Sequence, residues 1–318
     1  MLVSVLMPAY NHGKYIRQAI ESFLAQKEIA AELLIGNDAS TDNTLQIAME
    51  YANLFPDRIR VISNPKNLGL IENYRKLIEH STTPYLAILE SDDYWTDPLK
   101  LHKQVWYLEQ HPNCGLVFTS GEFVDQQGNH LGIKQEKEGE LQRNALLKKV
   151  LLANPVLAVT ACFRRSAFDA GCNMEEFVGK KFVTFDYPVW LGLASCSDFY
   201  AMGEVTSAYR VSEGSISNNA SYEKREWFMS GIDEIVEYAM EKFKYDGDVA
   251  AMRNERIAKH LILALAFNKF ERYSYFCKQI NPAVGLKWAI MRYFPFVFKF
   301  KKRKLIGTGA ISQLAVKS

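Results

Sequence analysis

The chain has 318 residues, 48% of them hydrophobic and 23% charged, which is ordinary globular composition and excludes a disordered, collagenous or low-complexity protein. Thirty-eight basic against 36 acidic residues leave a formal net charge of +2, too even for a dedicated nucleic-acid binder. That evenness conceals a split: residues 285–304 hold seven Lys or Arg and no acid, leaving 31 basic against 36 acidic residues elsewhere. The five cysteines (Cys114, Cys162, Cys172, Cys196, Cys277) form no CxxC pair, so neither a disulfide framework nor a zinc site is expected, in keeping with a reducing compartment. The amino terminus lacks a basic segment and Pro8 and Asn11 interrupt its apolar run, so it does not read as a signal peptide. No run of 18 apolar residues occurs, and no transmembrane helix is expected.

Along the first 125 residues two periods alternate. Short apolar runs over 3–7, 33–35, 59–62, 85–89 and 115–119 predict buried strands, and the stretches 15–26, 41–54, 71–79 and 98–109 predict helices. Strict alternation predicts right-handed crossovers and a doubly wound, mostly parallel α/β sheet flanked by helices. Residues 130–150, rich in Gly, Lys, Glu and Gln, read as a mobile loop. Apolar runs return at 156–163 and 199–205 around a helix over 187–194, and beyond Ser221 the period is helical (227–243 and 249–270). The expected division is an α/β domain over 1–220 that carries the site and a helical appendage over 221–318.

In such sheets ligands bind beyond the carboxyl ends of the strands. Four successive predicted strand ends are polar: Pro8-Ala9-Tyr10-Asn11, then Asn37-Asp38-Ala39-Ser40-Thr41-Asp42, then Asn64-Pro65-Lys66-Asn67-Leu68-Gly69, then Glu90-Ser91-Asp92-Asp93-Tyr94-Trp95. Carboxylates clustered like the last set repel one another unless a cation joins them. Hard ions such as Mg²⁺ or Mn²⁺ are held by one or two carboxylates together with substrate phosphates. A helix terminus accounts for these acids less well, because Asp97-Pro98 already supplies a cap with proline at the first helical position.

Ser40 or Thr41 is expected to cap the second helix, with Asp42 in its first turn. Asp38, at the strand tip, then reads either as structural or as an acceptor for a base N–H or a ribose hydroxyl. Asp186 stands just ahead of a helix and reads as a cap or as a general base. No GxGxxG or GxxxxGK[ST] loop is present, so a bound diphosphate calls for a metal. The six histidines are scattered and no GxSxG elbow occurs. Residues 285–304 combine aromatic and basic side chains, which suits either an interfacial segment on anionic lipid or a packed helix with a solvated basic end, interrupted in both cases by Pro295.

Taken in order, with Asp186-Tyr187-Pro188 and Tyr209-Arg210-Val211-Ser212, these motifs resemble those of the family 2 inverting glycosyltransferases, which have the GT-A fold; the resemblance covers residues 2–218. It implies that Pro8, Ala9, Tyr10, Asn11, Asp38 and Asn67 line the nucleotide. Asp92, matching the last acid of the DxD motif in which Glu90 stands first, would bind both nucleotide and metal. Asp93 and Arg210 would attend the donor diphosphate, and Asp186 would be the catalytic base. The resemblance further implies Mg²⁺ or Mn²⁺, a nucleotide-sugar donor linked through UDP, and a glycan or lipid-linked acceptor. It also implies an enzyme of cell-surface polysaccharide or lipopolysaccharide synthesis; with the cysteine usage and the composition of residues 285–304, the expected place is the cytoplasm, peripheral on the inner face of the membrane through that segment. Asn37, where many relatives have an acid, and Ser212, where relatives often have His, depart from the pattern. They favour the alternative, a nucleotide-sugar-binding GT-A module without turnover. A sugar nucleotidylyltransferase would carry a Gly-rich basic loop where this chain has Pro-Ala-Tyr-Asn-His-Gly.

Overall fold

A computed structural model describes residues 2–211 and 221–293. The chain forms two compact units, the first made of residues 1–147 and 156–212 and the second of 148–155 and 213–318. Along the chain the elements are β1 (Val3–Ala9), α1 (Ile16–Leu24), β2 (Ala31–Asn37), α2 (Thr44–Leu54), β3 (Ile59–Ser63), α3 (Leu70–His80), β4 (Tyr85–Ile88), β5 (Tyr94–Trp95), α4 (Lys100–Gln110) and β6 (Cys114–Val124). They continue as β7 (His130–Lys134), β8 (Gly139–Leu141), α5 (Arg143–Leu152), β9 (Cys162–Arg164), α6 (Arg165–Gly171), α7 (Met174–Lys180), α8 (Asp186–Cys196) and β10 (Asp198–Arg210). Then follow α9 (Tyr222–Lys242), α10 (Val249–Ala266), α11 (Phe270–Gln279) and α12 (Leu286–Tyr293).

The ten strands form one sheet in the order β3-β2-β1-β4-β9-β6-β10-β5, with β7 on β6 and β8 on β10. Six strands (β1, β2, β3, β4, β6 and β10) share a direction, which the parallel pairs β1–β2, β1–β4, β2–β3 and β6–β10 maintain on both sides of the antiparallel β9. Every residue of β1 and β2 is buried, as in strands covered on both faces, and the polar pair within them, Ser4 and Glu32, is joined by a hydrogen bond of 2.7 Å from the serine hydroxyl. Register decides where the strand ends fall. Ala9 pairs with Asn37, and Asn37 with Ser63, so the loops after β1, β2 and β3 leave the sheet at one level.

Helix α8 is buried at every position from Tyr187 to Ala194. It seats against α6 at a glycine pair. A Cβ on Gly171 would lie 2.2 Å from the Gly192 carbonyl oxygen, so neither backbone admits a side chain there. In the second unit α9 to α12 enclose a core that includes Tyr222, Leu261, Tyr273, Phe276 and Trp288. Among the described residues no helix is long and apolar enough to cross a membrane. Ser212 and residues 294–304 of the basic segment lie outside the described residues.

Several sequence expectations are corrected. Residues 130–150 are not a loop: β7 pairs with β6 and β8 with β10, and α5 begins at Arg143. A tight turn closes the β6–β7 hairpin, with the Asp125 carboxylate accepting the Gln127 and Asn129 backbone N–H groups at 2.8 Å. Polar composition misled there because β7 is an outer strand with no buried residue. Helix α2 starts at Thr44 rather than Thr41. Ser40 and Thr41 are engaged by Asn11, and it is Asp42 that accepts the Thr44 N–H, at 3.0 Å. Helix α4 likewise starts at Lys100, with Asp97 accepting the Leu99 N–H at 2.8 Å. The period over 249–270 spans two helices, broken where Asn268 takes the left-handed conformation at φ 57°.

Lys100 is fully buried behind the sheet, its ammonium donating to Gln104 Oε1 at 2.7 Å and lying 4.6 Å from the Trp95 ring centroid. Burial pulls its pKa down to about 7, against the weaker opposing influence of Cys162 and Asp97. A depressed lysine binds fewer protons folded than unfolded, so its contribution to stability rises as pH increases from about 7 toward its ordinary 10.5. Relative to Lys100→Met, wild-type stability should therefore improve by roughly 3 kcal/mol between pH 7 and pH 10. Denaturant unfolding of both proteins at the two pH values would measure it; a pH-independent difference would show that Lys100 is neutral in neither state.

Candidate active site

The loops at the carboxyl edge are tied to one another by side chains. Asn11, in the left-handed conformation at φ 55°, accepts the Thr41 N–H at 2.8 Å and donates its own N–H to Ser40 Oγ at 3.1 Å, joining the ends of β1 and β2. Ser91 donates to the Pro8 carbonyl at 2.8 Å, and with that proton spent it accepts from His12 Nδ1 at 2.7 Å. The β4 loop is thereby fastened to the end of β1, and His12 Nδ1 lies 3.9 Å from Asp92 Oδ1.

Asp38 is buried and committed. Its carboxylate accepts from Asn64 Nδ2 at 2.9 Å and from the backbone N–H groups of Leu68 and Gly69 at 2.8 and 2.9 Å. Three of its roughly four acceptor positions thus hold the loop after β3. Asn67 folds back to accept the Gly69 N–H at 3.1 Å. Asn37 is buried and donates to Ser63 Oγ at 3.1 Å. Tyr10 stands beside this network with 46% of its surface exposed, and Ala9 is buried.

Arg210, at the end of β10, is nearly inaccessible at 3% exposure. Its guanidinium donates to the backbone oxygens of Asp92 at 2.8 Å, Asp125 at 3.0 Å and Gln126 at 3.4 Å, and to Gln18 Oε1 at 2.8 Å. The Tyr15 ring lies 4.6 Å from its Cζ and the Tyr94 ring 5.6 Å. Its backbone N–H donates to Asp93 Oδ1 at 2.8 Å. The fork expected to face a diphosphate is spent on protein acceptors, and its position makes it a brace for the Asp92–Asp93 turn.

That turn is crowded with acid. Asp93 is buried, its Oδ2 has no hydrogen-bond partner, and its pKa is driven well above the carboxylate range by burial and then by the charges of Asp92 and Glu90. Glu90 is pushed up to about 8 by loss of water, then by Asp92 and Asp186. The influence of Asp186 on Glu90 brings the start of α8 to the same place. Asp186 opens that helix, accepts from Thr184 Oγ1, and follows Phe185, whose ring stacks on Tyr74 at a centroid distance of 3.8 Å. Burial raises the Tyr74 hydroxyl well above its ordinary pKa, and Glu90, Asp186, Asp93 and Asp92 all add to the shift.

The charge set suits a hard cation. Among the described residues neither the Glu90 nor the Asp92 carboxylate accepts a hydrogen bond, and the buried Asp93 oxygen is also unpartnered. No three His, Cys, Asp or Glu side chains among the described residues are arranged as a ready metal cage. The donor set therefore fits an ion that draws its remaining ligands from substrate phosphates and water, with Asp92 as the half-buried carboxylate available to it.

Three contributors escaped the sequence reading. Tyr74 lies in an amphipathic helix stripe and carried no signal. His12 immediately follows the β1 loop, and that position was the available clue. Lys134 on β7, in the segment read as a loop, is paired with Glu136 at 3.4 Å and feels the charge of Asp186; burial holds its pKa below the usual lysine value.

Residues 4–170, just over half of the chain, match the family described as Glycosyl transferase family 2, and the chain belongs to that family. An uncharacterised protein of Mycobacterium tuberculosis is 44% identical over 117 residues, 36% of this chain and 34% of its own length, so the chain spans about a third of the first curated relatives it matches. The Escherichia coli UDP-Glc:α-D-GlcNAc-diphosphoundecaprenol β-1,3-glucosyltransferase WfgD is 28% identical over 247 residues, 77% of this chain and 90% of its own. Residues 1–349 of Staphylococcus aureus TarS, solved with UDP-GlcNAc, superpose with a TM-score of 0.60 at 17% identity, covering 89% of this chain and 83% of that one. The mannosyltransferase PcManGT of Pyrobaculum calidifontis, solved with GDP-Man and Mn²⁺, superposes at 0.52 and 15% identity, covering 99% and 85%. The GT-A fold implied by the motifs is the fold these structures share with the chain.

Because Arg210 keeps four acceptors and two rings in place, Arg210→Lys should cost about 2–3 kcal/mol in urea unfolding, since a lysine cannot reproduce the planar fork. An unchanged stability would mean that the brace is not holding the turn.

Proposed function

We propose that the chain transfers a sugar from a nucleotide-diphosphate donor, UDP-linked, to an acceptor hydroxyl with inversion at the anomeric carbon. The observation that carries this reading is the gathering of Asp186 with Glu90, Asp92 and Asp93 around Tyr74 at the carboxyl edge. The half-buried Asp186, in the first turn of α8, is the base: it takes the acceptor proton as the acceptor oxygen attacks the anomeric carbon. The bond to the donor diphosphate breaks on the opposite face, and its electron pair leaves with the phosphate oxygen. Pro8, Ala9, Tyr10, Asn11, Asp38 and Asn67 line the nucleotide, with the exposed Tyr10 ring available to the base and the remaining acceptor position of Asp38 to a base or ribose donor. Asp92 would hold Mg²⁺ or Mn²⁺, which when bound neutralises charge on the departing diphosphate. Asp93 and Arg210 serve the donor by fixing the turn that presents Asp92.

The donors printed for WfgD and TarS support UDP over other nucleotides, and the diphosphoundecaprenol acceptor of WfgD supports a lipid-linked acceptor. Both suit a cytoplasmic enzyme of surface-polysaccharide synthesis at the inner face of the membrane. Nucleotide release and transfer should require Mn²⁺ or Mg²⁺ and cease in EDTA, and Asp186→Asn should lower kcat by about 10²–10⁴-fold while retaining nucleotide binding. Metal-dependent binding without transfer or donor hydrolysis, for any donor and acceptor tried, would assign the module without turnover instead; undiminished transfer by Asp186→Asn would remove that residue as base.

Membrane contact through 285–304 has one described part, α12, where Leu286 and Tyr293 are 77% and 62% exposed beside Lys287 and Arg292. Full-length protein should sediment with vesicles containing anionic lipid, less so at high salt, and deletion of 285–318 should abolish it. Equal sedimentation of both proteins would overturn the contact.

A further inference from the structure

We infer that a second carbohydrate subsite lies in a cleft of about 410 Å³ between α4 and the early part of β10, remote from the acidic edge. Its volume falls within the roughly 300–1,000 Å³ of small-molecule sites. Two of its lining rings, Tyr107 and Tyr200, stack at 3.8 Å between centroids with planes 13° apart, and the Tyr200 hydroxyl donates to Glu138 at 2.8 Å. Beside them the Trp106 indole, on the outer side of α4, is 59% exposed. A tryptophan left open next to a cleft is apolar surface that the fold itself does not use.

The charges at this cleft select among ligand classes. Lys103 is neutralised twice, by Asp97 at 2.9 Å and by Glu204, and Glu138 adds a further carboxylate. No spare cation faces the cleft from these residues, so a phosphate or nucleotide is not favoured. Flat aromatic faces bordered by carboxylate acceptors suit a neutral polyhydroxylated ring, whose C–H face packs on the indole while its hydroxyls donate to Glu138 and Glu204. Pyranose sugars have that chemistry. The choice of a glycan rests on the transferase reading above, which makes a growing saccharide the molecule at hand.

Bulges shorten β10 here: between Met202 and Arg210 its partner β6 advances only from Thr119 to Val124, about 16 Å at ~3.3 Å per residue, so the subsite would grip acceptor sugars some units away from the reacting hydroxyl. Binding energy gathered there could be used at the reacting centre.

The test is a titration of the full chain with laminaritetraose, cellotetraose and chitotetraose, followed through the tryptophan indole N–H resonances, with the Trp106 signal assigned from Trp106→Phe. At least one tetrasaccharide should move that signal saturably. Trp106→Ala, with its fold checked by thermal unfolding, should weaken binding of that sugar by about tenfold or more, and Glu138→Gln should weaken it as well. No movement with any of the three sugars overturns the subsite, and so does binding that both substitutions leave unaltered. Metal-dependent nucleotide release by the wild-type protein is measured alongside. Release without sugar binding sinks the subsite and spares the transferase reading, whereas sugar binding without release does the reverse.

Discussion

Four carboxyl groups at one edge of a sheet, three from the loop after β4 and one from the start of α8, are the constraint on which the rest of the site depends. Water would disperse their mutual repulsion, but Asp93 is buried and Glu90 largely dehydrated, so their protons are held far more tightly than in free side chains. Such an arrangement persists only because packing elsewhere enforces it. Tyr74 and Phe185 stack to bring α8 to the strand end, the Gly171–Gly192 approach seats that helix, and Arg210 grips the backbone of the turn. A divalent cation would relieve that repulsion on binding, whereas a diphosphate, itself an anion, would add to it unless such a cation stood between.

The same site shows how polar side chains divide their work. Asp38 and Arg210 are charged residues at the expected edge, yet most of their hydrogen-bonding capacity is turned inward, to the β3 loop and to the Asp92 and Asp125–Gln126 backbones. Buried charges are tolerable when they are well hydrogen-bonded, and Arg210 finds four acceptors for its planar fork between two tyrosine rings. Asp92 and Glu90 are the contrast. Their carboxylates accept no hydrogen bond among the described residues, so their lone pairs are not committed to holding the loops.

Much of the first unit was legible in the chain. Predominantly apolar runs marked β1, β2 and β4, which are buried along their length, a partly exposed run marked β3, and the polar strand ends stood out against them. The outer strands were not legible. β7 and β8 are polar because they lie at the margins of the sheet, and nothing local distinguishes such residues from a loop. Helix starts shifted by two or three residues where tertiary partners, Asn11 for Ser40 and Thr41, took the groups that would have capped locally.

Sequence by itself determined the order of the α/β elements, the acidic strand end at Glu90, Asp92 and Asp93, and the family motifs that run through Asp186, since periodicity, burial and motif spacing are local properties of the chain. Only the tertiary structure decided that Asp186 joins those acids around Tyr74, that Arg210 faces protein, and that Lys134 and His12 belong to the same region. Those are contacts between residues as many as 192 positions apart, set by strand register and helix packing, and no local pattern encodes them.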